Sequence, residues 1–253
     1  MCRMLAKVSV QEAPAEYELL TAPHSLSAQS LRAKLPFPSQ PFGPHNDGCG
    51  MAWLDRDSIK LSKRGRNDCW DASFIGEAER LSTKSFIAHN RAASQGLVIN
   101  RSAAHPYTAT VAGETVAFCH NGGIRNLFEQ ASARRVTDSF LFLEHVAQKI
   151  HVLDLSSLRD LLARCSREWS FTSLNGLLLS PRGVFAWRCF EDRGSSRDIH
   201  EGYYTLHSHQ RPNDICIASE PVDRKRSWAP LPNRTVVELR AERGVVVMNQ
   251  ASF

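Results

Sequence analysis

Cys2 stands directly after Met1. Once Met1 is removed, this one residue carries a thiol nucleophile and a free α-amine able to serve as its base, directly or through water. The ordinary pKa values of these groups, about 8.5 and about 8, put both protonation states needed for acyl transfer within reach of neutral pH. Aminopeptidases clear an initiator methionine when a small residue follows, and cysteine qualifies. Removal of Met1 is therefore expected to switch the thiol on, and its retention to leave the protein nearly inactive.

A nucleophile needs partners, and the chain offers several. Arg91 follows a buried-strand pattern at Ser85–His89 and precedes the small residues Ala92, Ala93 and Ser94. Its guanidinium can hold a carboxylate bidentately, or it is a surface arginine in an ordinary salt bridge. The apolar stretch Thr115–Cys119 delivers His120-Asn121-Gly122-Gly123. An Asn amide and a glycine N–H can converge as an oxyanion hole, where one donor contributes about 3 kcal/mol; Asn-Gly is equally a common hairpin turn. Asp138 can cap a helix or turn its carboxylate toward a ligand's ammonium. Gly48 and Gly50, in His45-Asn46-Asp47-Gly48-Cys49-Gly50, read either as a turn or as a loop whose backbone approaches a ligand.

The elements that must position these groups are mostly strands. Met4–Val10 reads as a short strand that would hold the chain end still. Leu26–Leu31 reads as a short helix, and the Pro-rich passage 36–44 as irregular. Met51–Leu54 begins a strand, and 55–66 a hairpin with a basic turn. A helix starting at Thr137 or Asp138 puts Phe142, Val146 and Ile150 on one face, and a second runs over 157–167 with Leu158, Leu161, Leu162 and Cys165 inward. Further strands are expected at 174–179, 184–187, 203–207, 215–218, 236–239 and 245–248, with 188–201, charged and poor in apolar residues, an exposed loop or an insertion. Neither a repeat nor a dividing linker occurs, so residues 1–253 are expected to form one domain.

Composition narrows the function class. The chain has 253 residues, 42% of them apolar, and a net charge of +5 from 31 Lys and Arg against 26 Asp and Glu. No apolar run approaches the roughly 20 residues of a membrane span, and no signal-peptide pattern opens the chain, so a cytoplasmic protein is expected. The basic clusters 63–66 and 224–226 are short and lack interleaved aromatics, which argues against nucleic acid. The seven cysteines fall singly, without metal-site spacing; Cys119, Cys189 and Cys216 read as core residues. No metal and no cofactor are expected.

Assembled, the parts suit an amide on an α-amino-acid head: α-carboxylate to Arg91, α-amine to Asp138, side-chain carbonyl between Cys2 and the donors. That describes glutamine or another γ-glutamyl compound. Here the chain resembles the class II glutamine amidotransferases, a branch of the N-terminal nucleophile hydrolases. The resemblance rests on Met1-Cys2-Arg3, Pro23-His24-Ser25-Leu26 with Gln29-Ser30, Asn46-Asp47-Gly48-x-Gly50 and Ala88-His89-x-Arg91. It continues through His105-Pro106-Tyr107-Thr108, His120-Asn121-Gly122, Thr137-Asp138-Ser139, Ala218-Ser219-Glu220-Pro221 and Trp228, covering nearly the whole chain in family order. Small stand-alone members are most similar, among them the ergothioneine-pathway γ-glutamyl hydrolase and the amidotransferase-like subunit of fungal glutathione degradation.

The resemblance implies an α+β fold, the four-layer α-β-β-α sandwich. It implies Cys2 as nucleophile, Asn121 and Gly122 as the oxyanion hole, Arg91 and Asp138 on the substrate head, and Gly50, Ser94 and Gly123 lining the pocket. Three residues depart from the family pattern: Cys49 between two glycines, Asn90, and Phe140 in place of a glutamate after the Asp-Ser pair. They bear on substrate identity. The function expected first is hydrolysis of a γ-glutamyl amide through a thioester on Cys2. The alternatives are a glutaminase subunit passing ammonia to a separate synthase or ligase, and a catalytically silent γ-glutamyl-binding module. The partners compatible with this are a small γ-glutamyl substrate, such a synthase or ligase, and a second copy in a homodimer.

Overall fold

The computed structural model describes residues 2–37, 39–93, 97–192, 197–225 and 227–253. The chain opens in strand β1 (Cys2–Pro14), whose first eight residues are all buried. Side chains of a strand alternate between its faces, and here both faces are covered. Met4, Ala6 and Val8 enter one core and Leu5 another. Arg3 and Lys7 share the face of Leu5, where they meet Glu220 at 3.2 Å and Glu18 at 3.0 Å. Burying these cations requires such partners.

Two antiparallel sheets form the centre. The first runs in the order β13 (Ala229–Pro230), β11 (His207–Gln210), β12 (Asp214–Ala218), β1, β6 (Ser82–Arg91), β4 (Gly48–Asp55), β5 (Ser58–Gly65). The second runs β15 (Val245–Ser252), β14 (Thr235–Glu242), β10 (Gly183–Arg188), β9 (Asn175–Ser180), β8 (Glu114–Asn121), β7 (Tyr107–Val111). A small ribbon pairs β2 (Ala33–Lys34) with β3 (Phe42–Gly43). Helices α1 (Leu26–Leu31) and α2 (Ala72–Arg80) cover the first sheet, while α4 (Asp138–Lys149) and α5 (Leu155–Glu168) cover the second. Two short helices, α3 (Phe128–Arg134) and α6 (Arg197–Tyr203), complete the described set.

Three apolar cores separate four layers. Leu26, Phe74 and Ala78 pack on Leu5, Phe86 and Ala88 of the first sheet. Met4, Ala6 and Ile87 meet Ala117, Leu177 and Val237 between the sheets. Phe118, Phe185 and Trp187 meet Phe142, Val146 and Leu162 beneath α4 and α5. This is the expected α-β-β-α sandwich, and its consequence is that a residue's face on a central strand decides whether it reaches the inter-sheet space.

Several elements differ from expectation. Gly48 and Gly50 lie inside β4, and His120 and Asn121 inside β8, so the supposed loops are strand ends. Helix α2 has no counterpart in the sequence reading because only Phe74 and Ala78 are buried along it; Asp71 caps it by accepting from Phe74 N at 2.7 Å. Tyr203 ends α6 and does not start a strand. In the supposed exposed loop 188–201, Arg188, Cys189 and Phe190 are buried. The terminal guanidinium nitrogens of Arg188 donate to the Leu231 carbonyl and the Thr205 hydroxyl, so charge there does not signal exposure. Among the described residues no helix is long and apolar enough to cross a membrane.

Candidate active site

Strand register brings the first pair together. Cys2 on β1 is the direct partner of Arg91 on β6, and Arg91 is in turn the partner of Gly48 on β4. Directly opposed residues point to the same face, so Cys2 and Arg91 both face the inter-sheet space, in step with Met4 and Ile87. From the opposing sheet, Asn121 closes on them: its Oδ1 accepts from the Cys2 nitrogen at 2.9 Å. Because that nitrogen is a donor, the amide oxygen must face it, and Nδ2 points the other way. Nδ2 is buried and has no hydrogen-bond partner among the described residues. An unspent buried donor of this kind costs about 1–3 kcal/mol unless a ligand accepts from it.

The turn after Asn121 is held from two sides. The Gly123 N–H donates to Thr172 Oγ1 at 2.9 Å, and the Ile124 N–H to Asp138 Oδ2 at 2.9 Å. A Cβ on Gly122 would sit 1.8 Å from the Ser173 carbonyl oxygen, so only glycine lets the turn lie this close to its neighbour. Thr137 caps α4 by accepting from Phe140 N at 3.1 Å, which leaves Asp138 as the first helical residue, buried at 8% exposure.

The electrostatics single out Cys2. Burial alone would raise its thiol, but the positive terminal amine of the chain that still carries Met1, the charge and a hydrogen bond of His89, and the Arg91 guanidinium outweigh it and bring the pKa down to about 6. Burial carries Cys119, Cys165 and Cys189 the other way, the latter two up to about 12. His89 shares the Cys2 face; its Nε2 lies 3.3 Å from the His120 carbonyl, and its ring stacks on His105 with centroids 4.1 Å apart. Burial, with the neighbouring charges of His89, His120, Arg91 and Lys63, holds His105 well below the usual histidine range. Burial pushes the Tyr107 hydroxyl up to about 12, and it stays a neutral partner of Thr137 Oγ1 at 2.9 Å.

A cleft of about 680 Å³ opens beside this cluster. Of the expected site residues, Gly122, Gly123 and Asp138 line it. Cys2, Asn121 and Arg91 are buried and do not line it; Asn121 adjoins Gly122, and Arg91 donates to the Val98 carbonyl at 2.7 Å. Gly50, expected to line the pocket, is covered: its added Cβ would meet the His105 carbonyl oxygen at 2.3 Å. Its missing side chain serves a backbone crossing, which seats His105 over the sheet. Ser94 lies outside the described residues. No group of three or more His, Cys, Asp or Glu that could hold a metal ion occurs among the described residues.

Other residues of the site come from sequence blocks to which no role was given. Buried Arg3 and Glu220 join the half-exposed His24 in one network, Glu220 also accepting from Lys34 N at 2.9 Å. Asp47 accepts from Ala93 N at 2.7 Å and pairs with Arg66, tying down the segment after Arg91. His89 is the residue the sequence reading most plainly missed; its place two positions before Arg91, on the same face, was the available signal. The departures Cys49 and Asn90 are direct partners on β4 and β6 and point into the helix-side core. Asn90 there accepts from Trp70 Nε1 at 2.9 Å and donates to the Leu26 carbonyl. Phe140, in contrast, lines the cleft.

Residues 39–170 match the family described as glutamine amidotransferases class-II. Two curated relatives are named γ-glutamyl-hercynylcysteine sulfoxide hydrolase. The one from Mycolicibacterium smegmatis is 27% identical over 250 residues, covering 97% of this chain and 99% of the relative. The one from Mycobacterium tuberculosis is 27% identical over 251 residues, covering 98% and 96%. Among solved structures, a class-II glutamine aminotransferase domain protein from Silicibacter pomeroyi superposes with a TM-score of 0.62 at 16% identity, each chain fully covered. Glutamine phosphoribosylpyrophosphate amidotransferase from B. subtilis gives 0.63 at 13% identity over 98% of this chain; the chain spans about half the length of that enzyme, 49%.

Proposed function

The chain belongs to the class II glutamine amidotransferases, and from that premise we propose that it hydrolyses the side-chain amide of a γ-glutamyl compound through a thioester on Cys2. The observation that carries this is the meeting of Cys2 with the unspent Asn121 Nδ2, Asn121 Oδ1 fixing the Cys2 nitrogen and His89 and Arg91 lowering the thiol. The Cys2 thiolate attacks the γ-carbonyl carbon. The oxygen that gains charge accepts from Asn121 Nδ2 and the Gly122 N–H. With Met1 removed, the α-ammonium of Cys2 gives its proton to the departing nitrogen, and the amine leaves. Water then adds to the thioester, the α-amine taking its proton, and glutamate departs. Arg91 holds the α-carboxylate with the N–H groups not donated to Val98, and Asp138 holds the α-ammonium.

The test combines three measurements. Intact mass establishes residue 1, and glutamate release is followed with glutamine, glutathione and larger γ-glutamyl amides. Cys2→Ala should abolish release while leaving the circular dichroism spectrum and melting curve unchanged. Normal turnover by Cys2→Ala would sink the mechanism. Release that depends on an added synthase would favour the ammonia-donating subunit. Equal activity with and without Met1 would remove the Cys2 amine from the role of base.

A further inference from the structure

The cleft is far larger than a glutamine side chain requires and runs outward from the catalytic turn. At about 680 Å³ it falls within the roughly 300–1,000 Å³ of sites for drug-sized ligands. Its inner end is Gly122, Gly123 and Asp138; one wall is α3, with Phe128 and Ala131, and the other is the 97–103 segment. The walls are conspicuously greasy for a surface feature. Of the ten large apolar side chains exposed among the described residues, Leu61, Leu97, Val98 and Phe128 all lie on this cleft, at 39%, 45%, 50% and 49% exposure. Phe140, edge-on to Tyr107 with centroids 5.6 Å apart, adds an aromatic surface. Solvent-exposed apolar side chains gathered in one concavity mark a ligand surface.

The charges on the lining have a definite sense. Asp138 is its one carboxylate, already accepting from Ile124 N and assigned to the head's ammonium. The remaining formal charges are cations, Lys63 and Arg135. Lys63 donates to the Ala104 carbonyl at 2.9 Å and lies over the Tyr107 ring. Arg135 is exposed, in the left-handed conformation that ends α3 (φ 53°). A cationic leaving group would meet like charge here, and ammonia would leave the apolar walls bare.

Building on the amidohydrolase reading, we infer that the leaving group is an α-amino acid with a large apolar side chain and a free carboxylate. Its amine is the γ-linked nitrogen, its side chain lies against Phe128, Leu97 and Phe140, and its carboxylate faces Arg135. In the reaction the amide C–N bond breaks, the water oxygen ends on the γ-carboxyl of glutamate, and the amine departs as the free amino acid.

The experiment measures glutamate release from γ-glutamyl-phenylalanine, γ-glutamyl-phenethylamide, γ-glutamyl-cadaverine and glutamine, using protein whose N-terminal Cys2 is verified by mass. Phenethylamide keeps the ring and lacks the carboxylate; cadaverine supplies a cation. The expected order of kcat/KM is phenylalanine first by about tenfold, then phenethylamide, with glutamine and the cationic amide last. Arg135→Gln should narrow the phenylalanine-to-phenethylamide ratio about tenfold, and Phe128→Ala should narrow the ratio of either aromatic substrate to glutamine. Equal or better turnover of glutamine or the cationic amide overturns the inference, as does a ratio that Arg135→Gln leaves in place. Release from none of the four substrates sinks the amidohydrolase reading itself, an outcome distinct from a wrong order among active substrates.

Discussion

Replacing Asn121 by aspartate changes the chemistry of one atom and almost none of the shape. One carboxylate oxygen still accepts from the Cys2 nitrogen, where the amide oxygen now sits at 2.9 Å, so the nucleophile stays anchored. What disappears is the Nδ2 donor, buried and unpartnered until a carbonyl oxygen arrives. Loss of one oxyanion donor costs about 2.7–4 kcal/mol, a factor of about 10²–10³ in kcat. The new negative charge also faces the forming oxyanion, which adds up to about 4 kcal/mol if the charges stand about 4 Å apart in a medium of effective dielectric 20. A fall of at least about 10³-fold in kcat is therefore expected, with KM changed little, because the head is held by other residues. Asn121→Ala should lose the donor and the anchor together and show a comparable loss without the repulsion. Glutamate release at saturating substrate gives kcat, and intact mass under single-turnover conditions reports acylation of Cys2. A kcat within threefold of the parent for Asn121→Asp, with an unchanged melting curve, would refute the oxyanion assignment.

Arg91→Lys should lower kcat/KM for any γ-glutamyl amide by about 10–100-fold, since a point charge cannot both donate to Val98 and grip a carboxylate in a fork; steady-state kinetics with an unchanged value would reject the role. The lowered Cys2 thiol predicts an acid limb below the ordinary thiol range: thiolate, and with it kcat/KM and alkylation by iodoacetamide, should rise with pH and level off before about 8.5. His89→Gln should move that limb upward toward the ordinary thiol range, and an unmoved limb would show that His89 does not stabilise the thiolate. Glu220 is buried, which alone raises its pKa, yet His24, Arg3 and Lys34 N hold it at about 2. A depressed carboxylate gives stability that is complete above the unfolded value near 4.3 and is lost as pH falls through 2. Glu220→Gln strands the fully buried Arg3 and should cost about 3–5 kcal/mol, roughly 10 °C of melting temperature, with the shortfall shrinking at low pH.

Much of this was legible because catalytic chemistry needs particular residue types. The Cys2 thiol, an arginine, an aspartate and an Asn-Gly pair can be picked out without coordinates, and α1 and α4 are written in local caps and periodicity. The misreadings have a common cause. Gly48-x-Gly50 and His120-Asn121 contain residues that usually make turns, yet both are strand ends, held there by cross-strand partners distant in sequence. Local propensity cannot report a partner 39 to 56 residues away. The same blindness hid the face of each residue: Cys49 and Asn90 looked like neighbours of the chemistry, and alternation turns them into the helix-side core. Gly50 looked like a ligand contact, and the crossing of the His105 backbone could be known only from the fold.

The placement of Cys2 at the start of a central strand also bears on the order of events in biosynthesis. Residue 2 leaves the ribosome among the first, but β1 is flanked by β6 and by β12, whose residues Asp214–Ala218 are made near the end. At 5–20 residues per second, roughly 10–40 s separate synthesis of the two ends of that pairing. β12 meets β1 only from Leu5 to Ser9, while Cys2 itself pairs with Arg91 of β6, which is made much earlier. In the folded chain Cys2 is only 6% exposed and its nitrogen is bonded to Asn121. On the proposed mechanism, excision of Met1 is therefore expected to proceed more readily on the nascent chain than after the strand is packed, and leader residues placed before Cys2 to be cut best before folding.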